Sequence, residues 1–250
     1  MISKFIKGGS DYLRAFSFLM KHRLFGYVLI SGLISIVLAS VIFGAGWYAS
    51  DDIGGYLSSF YPWEWGASIV HKILNVVSGT AIIAFGLIIF KYALLICISP
   101  FMGPLSTKVE TIITNRSQKE AFSIKQMSYE IMRGERISLR NIVRELSYTL
   151  LLLLLGFIPF LSIFITPLIF LVQGYYAGFA SFDYFLERRA SVKQSVRYNK
   201  QHRPMVIGNG SVFLLLLFIP ILGWFLAPIL GTIAATMTAL EDGDYPEMRQ

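Results

Sequence analysis

Apolar residues run in long blocks along this chain, and short charged segments separate the blocks. Leu24 to Trp47 holds about 24 residues without a charge, and a helix of about 20 such residues crosses a hydrocarbon core. Ile73 to Phe101 forms a second long run, interrupted only by Lys91. Residues 1–23 follow another pattern. Phe5, Tyr12, Leu13, Phe16 and Leu19 or Met20 recur at helical spacing among Lys4, Lys7, Arg14, Lys21 and Arg23. That pattern predicts an amphipathic helix, lying either on a membrane surface or against the protein's own bundle.

Two further apolar blocks share one phrase. Phe157-Ile158-Pro159 through Pro167 and Phe218-Ile219-Pro220 through Pro228 both read F-I-P-x-L-x-x-F-x-x-P. The first proline of each copy, Pro159 or Pro220, stops an arriving helix. The second, Pro167 or Pro228, suits the first turn of a new one. The arms are short. Tyr148 to Ile158 is about 11 residues, roughly 17 Å. Gly210 to Ile219 is shorter still, and Pro167 to Phe182 and Pro228 to Leu240 are marginal. A crossing needs roughly 30 Å. The expectation is therefore two helical hairpins, hinged at these prolines, that enter the membrane and return. Kinked pairs of full spans are the alternative.

Composition settles the class. Hydrophobic residues make up 55% and charged residues 15%, and the mean hydropathy is +0.61. These values identify an integral membrane protein. The formal charge of +7 lies in short segments beside the apolar runs, which argues for membrane orientation and against nucleic acid. The predicted fold is all-α in one membrane domain, 1–250. Its parts are an interfacial helix (1–23), a first span (24–48), an outer loop with Asp51, Asp52 and Glu64 (49–72) and a second span (73–101). Cytosolic helices (102–147), a first hairpin (148–182), a basic connector (183–209), a second hairpin (210–240) and an acidic tail (241–250) follow. Ser99 to Pro104, with two prolines and a glycine, is expected to end the second span. Asn115-Arg116-Ser117 and Arg133-Gly134-Glu135 are the expected turns of the cytosolic segment. Both termini fall inside, and the first span serves as its own insertion signal.

Enzyme chemistry finds no constellation. His22, His71 and His202 are dispersed, Cys97 is the one cysteine, and no H-E-x-x-H, C-x-x-C, phosphate-binding loop or G-x-S-x-G frame occurs. No cofactor is expected, and nothing in the chain would bind ATP to drive a pump. Two charges stand out. Lys91 either snorkels to the inner interface or faces a pore as an anion-attracting cation. Glu110 either gates a pore by pairing with an arginine or forms an ordinary salt bridge.

Pro100-Phe101 followed by Glu110, the twin F-I-P hairpins and Asp183-Tyr184 form an ordered set. On these residues most of the chain resembles the CysZ-like sulfate permease family of bacteria, which shares a domain with the etoposide-induced membrane proteins. The resemblance implies two long membrane helices plus two hemi-penetrating hairpins, assembled as a homo-oligomer in the bacterial inner membrane. It also implies passage of a small inorganic anion, sulfate first, for cysteine synthesis. In that family sulfate is associated with a Gly-Ile-Arg-Arg-like segment at the mouth of the first long helix. The matching stretch here is Arg23-Leu24-Phe25-Gly26, with Lys21 and His22 before it, and the paired arginines are absent. The helix start still offers backbone N–H groups to an oxyanion. Arg23, Lys21, Leu24, Phe25 and Gly26 are therefore the expected anion site, with Glu110 and Lys91 at a pore or gate. The competing expectation is a membrane scaffold whose wedges and basic segments bind lipid and shape the bilayer without transport.

Overall fold

The computed structural model describes residues 2–59, 67–115, 124–156 and 159–247. Eight helices occur among them: α1 Ile2–Lys21, α2 Phe25–Ser59, α3 Ala67–Thr114, α4 Ile124–Gly156, α5 Pro159–Leu186, α6 Val192–Gln201, α7 Arg203–Leu217 and α8 Leu222–Asp242. No strand occurs among the described residues, and the protein is an all-α membrane protein. Among the described residues four stretches are long and apolar enough to cross a membrane: Phe25–Ala45, Ile89–Thr114, Ile163–Leu186 and Leu222–Asp242. The chain divides into two compact units, one of residues 1–32 and 96–250 and one of residues 33–95.

In the larger unit α7 is the central strut, packed against α1, α5 and α8. Glycine lets these backbones touch. A Cβ on Gly210 would overlap the Gly174 carbonyl oxygen, and one on Gly178 would overlap that of Val206. Gly174 and Gly178 are four apart on α5, the small-x-x-x-small spacing that brings membrane helices close. On its other side α7 meets α1, where Gly208 lies against the Phe5 carbonyl and Gly8 against that of Met205. Around this strut Phe179, Phe182, Phe185, Met205 and Ala235 form a buried core.

Helix α1 answers the surface-or-bundle question with separate faces. Gly8, Asp11, Tyr12, Ala15 and Leu19 are buried, and Thr238 Oγ1 donates to Asp11 Oδ2 at 2.6 Å. Ile2, Ile6, Leu13, Phe16 and Met20 are exposed. At about 100° per residue they fall in one stripe about 80° wide. Its basic residues reach the end of α8: Lys4 Nζ lies 3.1 Å from Asp242 and Lys7 Nζ 3.0 Å from Glu241.

The structure corrects three expectations about helix ends. Helix α3 runs through Pro100 and Pro104 to Thr114 instead of ending at them. Each interior proline costs about 3 kcal/mol, but Ile98, Met102 and Leu105 are fully buried there and their packing holds the helix together. The expected loop 49–72 is helical to Ser59 and again from Ala67. Gly54 and Gly55 each cost only about 1 kcal/mol in a helix, too little to end one. Arg133-Gly134-Glu135 lies inside α4, not at a turn, because Arg133 and Gly134 are buried against the larger unit. The expected turn at Asn115 begins where α3 stops, and Asn115 takes φ 53; Arg116 and Ser117 lie outside the described residues.

Both F-I-P copies join two helices, but the prolines act in a different order from that expected. Pro159 begins α5 and Pro167 sits inside it. Pro220 lies in the turn between α7 and α8, and Pro228 sits inside α8. The first proline starts the second helix, and the second is carried within it. The return arms are accordingly longer than expected, 28 residues in α5 and 21 in α8. Phe157 and Ile158 lie outside the described residues. The second tip is fully defined. Ile221 adopts φ 66, ψ −69, and Leu222 N–H donates to the Pro220 carbonyl at 2.7 Å. This is a γ-turn of the rare, strained hand. Ile219 N–H bonds Leu216 O at 2.9 Å and Gly223 N–H bonds Ile219 O at 2.9 Å.

The smaller unit, residues 33–95, contains the rest of α2 and the first part of α3. Exposed Leu33, Ile36, Val37 and Val41 leave one side of α2 apolar and open.

Candidate functional site

The expected anion site falls at the turn between α1 and α2. Arg23 N–H bonds Met20 O at 3.4 Å and Leu24 N–H bonds Leu19 O at 3.1 Å. Arg23 has φ 52. These are the bonds of a Schellman motif, with Arg23 in the left-handed position usually given to glycine. Leu24 and Leu19, each 1% exposed, supply its apolar clasp. The motif stops α1 and starts α2 at Phe25. It leaves Lys21, Arg23, Phe25 and Gly26 exposed around that start and Leu24 buried. A Cβ at Gly26 would meet nothing within 4 Å, so the approach to the first turn of α2 is open. Lys21 and His22 also line an open pocket of about 600 Å³ with Arg14, Ser17, Phe18 and Ile113. Arg23 does not line that pocket and stands beside it at the start of α2.

Glu110, 4% exposed, is not on a solvated face. Its Oε2 lies 3.4 Å from Arg188 Nη2, and its Oε1 pairs with Arg189 Nη2. Arg189 stacks on the rings of Phe185 and Tyr245, 4.6 and 5.0 Å from their centroids. Helix α3 exposes a bare backbone nearby: a Cβ on Gly103 would overlap a carboxylate oxygen of Glu187.

A second buried pair stands on the neighbouring helices. Arg133 grips Asp183 with both terminal nitrogens, at 3.2 and 3.1 Å. Its Nε donates to the Ala190 carbonyl at 2.8 Å, and the Ser195 hydroxyl bonds the same carboxylate. A bidentate fork of this kind fixes orientation as well as charge. The Arg188-Arg189-Ala190 stretch thus receives one bond network from α3 and another from α4.

Lys91 belongs to the smaller unit, where it is buried with its ammonium 4.9 Å above the Tyr92 ring. Glu110, the other residue expected at a pore, belongs to the larger unit. Among the described residues no group of three or more His, Cys, Asp or Glu could hold a metal ion.

Residues 11–228 match the family model described as Sulfate transporter CysZ/Etoposide-induced protein 2.4. The chain belongs to this family. Relatives named "Sulfate transporter CysZ" occur in Pseudomonas aeruginosa, 26% identical over 147 residues, covering 58% of this chain and 60% of the relative. One from Pseudomonas paraeruginosa is 26% identical over 152 residues, covering 60% of this chain and 62% of the relative. The match thus spans about three fifths of these relatives' length. The family match includes the α1–α2 turn, Glu110, Arg133, Asp183 and both arginines of the α5–α6 connector.

Sequence reasoning singled out Glu110 but missed its partners. Arg188 and Arg189 look like part of a solvated basic connector, and Arg133 looks like a turn residue. One available signal was Ser191-x-x-Gln194, a capping box that both side chains complete at the start of α6. It confines the connector to a short bend and so holds the two arginines at the end of α5.

Proposed function

We propose that this chain carries a small inorganic anion, sulfate first, across the bacterial inner membrane, with its termini in the cytoplasm and further copies of itself as neighbours. The reading rests on the α1–α2 turn in a family described as a sulfate transporter. There two exposed cations, Lys21 and Arg23, flank the open start of a membrane-length helix. Neither is paired with a carboxylate among the described residues. Cationic side chains and free N–H groups at a helix start suit an oxyanion. Glu110, locked between Arg188 and Arg189, serves as a closure element, and the path is channel-like.

The hairpins dip into one leaflet in this reading. His202 Nε2 lies 2.9 Å from Asp242, so the start of α7 and the end of α8 stand at the same level. From there α7 extends 15 residues, about 22 Å and short of a roughly 30 Å core. Phe218, Ile219, Ile221 and Leu222 are exposed at the tip. A tip that bonds its own amides is suited to hydrocarbon.

Sulfate uptake by proteoliposomes under an imposed gradient tests the function. Arg23→Gly removes the charge while giving the left-handed position its preferred residue. The expected outcome is severalfold lower flux with an unchanged or higher melting temperature. Unchanged flux removes Arg23 from the site, and an impermeable wild-type vesicle refutes transport. Hairpin depth is read by Leu222→Cys in a Cys97→Ala background: protection from an impermeant maleimide on both faces supports re-entry, and labelling from the outer face ends it.

The exposed tip and the apolar stripe of α1 also favour the bilayer-shaping reading. It requires no flux but vesicle remodelling that depends on anionic lipid.

A further inference from the structure

The larger unit contains a second basic site that the anion reading does not use. Arg140 and Arg144 of α4, Lys200 of α6 and Arg203 at the start of α7 converge on a pocket of about 400 Å³. Among the described residues no carboxylate lines it and none of the four cations pairs with one. The Arg140 Nη1–H donates to the neighbouring Asn141 Oδ1 at 2.8 Å. Burial, and then the nearby Arg144, hold the Arg140 guanidinium below its ordinary value. Two guanidiniums gathered in this way call for an anion between them.

The remaining wall shows which kind of anion. Leu168, Leu171, Val172, Tyr175, Tyr176 and Phe179 line the pocket from one stripe of α5. Leu168 and Leu171 are exposed, and both lie in the membrane-length stretch Ile163–Leu186. Over about 12 Å the stripe passes from leucine to tyrosine. Tyrosine is the residue enriched where hydrocarbon meets headgroups. A free oxyanion would have no use for the leucine end. An amphiphile uses both ends.

We propose that this pocket binds an anionic phospholipid, its phosphate held by Arg140, Arg144, Lys200 and Arg203 and its acyl chains laid along Leu168, Leu171 and Ile207. The lipid would tie α4 and the α6–α7 corner to α5, fastening the feet of both hairpins at one membrane level. Basic pockets between membrane helices are established headgroup sites in general.

Native mass spectrometry tests this with the purified full chain equilibrated in equal amounts of phosphatidylglycerol and phosphatidylcholine. Wild type should retain phosphatidylglycerol preferentially, and a large excess of inorganic phosphate should not displace it. Each cation facing the phosphate contributes roughly fivefold, so Arg140→Ala with Arg144→Ala should lower retention roughly twenty-five-fold. Lys200→Glu, at an exposed position, should lower it at least about fivefold even if the double variant folds poorly. Lys193→Ala with Arg197→Ala, elsewhere on α6, should retain lipid as wild type does. Equal retention of the two lipids, or undiminished preference in Lys200→Glu, overturns the proposal. Displacement by inorganic phosphate does so as well, because it would mark a free-oxyanion site.

Discussion

Glu110 Oε2 and Arg188 Nη2 lie 3.4 Å apart although 78 residues separate them in the chain. Arg189 closes on the other carboxylate oxygen. Both arginines and the glutamate are buried. Taking such charges out of water costs several kcal/mol per ion, which their attraction offsets only while every partner remains. Glu110→Gln should therefore lower stability by about 3–5 kcal/mol, seen as a lower melting temperature in detergent. A change within a few tenths of a degree would mean that the arginines find other partners.

Asp183 should be the more sensitive member of the second network. Its carboxylate takes two bonds from Arg133 and one from Ser195. Asp183→Asn keeps the shape but removes the charge facing a buried guanidinium, a loss of about 3 kcal/mol. Ser195→Ala removes one hydroxyl bond, about 1 kcal/mol. Arg133→Lys lies between, because an ammonium cannot span both oxygens and the Ala190 carbonyl at once. The order of the three midpoints in a denaturant series checks this, and Ser195→Ala as the worst variant would contradict it.

The glycines predict opposite outcomes at two positions. Gly210→Ala drives a methyl into the Gly174 carbonyl where α5 and α7 touch, and backbone on both sides cannot yield cheaply. Overpacking of this kind costs about 1–3 kcal/mol. At Gly26 an added methyl meets open space. Gly26→Ala should leave the melting temperature unchanged, or raise it slightly through helix propensity. It also narrows the approach to the α2 start, so a loss of sulfate binding without a loss of stability would place the anion there.

How much of this was legible in the chain depends on the range of the interaction concerned. The apolar blocks and the F-I-P phrase located the membrane helices and the Pro220 turn, because a proline acts on its own backbone within a residue or two. The same local rule failed at Pro100 and Pro104, where buried packing around Met102 and Leu105 outweighs it. It failed again at Pro167 and Pro228, carried inside α5 and α8. The charged stretch 102–147 read as a solvated face because alternating Arg and Glu look the same whether they face water or a partner from another helix. Arg133 finds Asp183 across 50 residues, and no local periodicity records that distance. The spacing of Gly174 and Gly178 was readable, and it marks where α7 lies against α5.

The γ-turn at Ile221 yields the last prediction. A β-branched residue at φ 66 holds a conformation that costs roughly 1–2 kcal/mol, and a glycine adopts it freely. The side chain is exposed at the tip, so little packing is lost when it is removed. Ile221→Gly should therefore raise the melting temperature in detergent, whose short and mobile tails hold the tip only loosely. In a bilayer the balance changes if the tip is immersed. The isoleucine then sits in hydrocarbon, and deleting it forfeits about 2 kcal/mol of transfer free energy, enough to cancel the relief of strain. The same substitution should thus stabilise the detergent-solubilised protein and leave the reconstituted protein unchanged or weaker. Equal stabilisation in both media would mean that the bilayer holds the isoleucine no better than detergent does, against deep immersion of the tip.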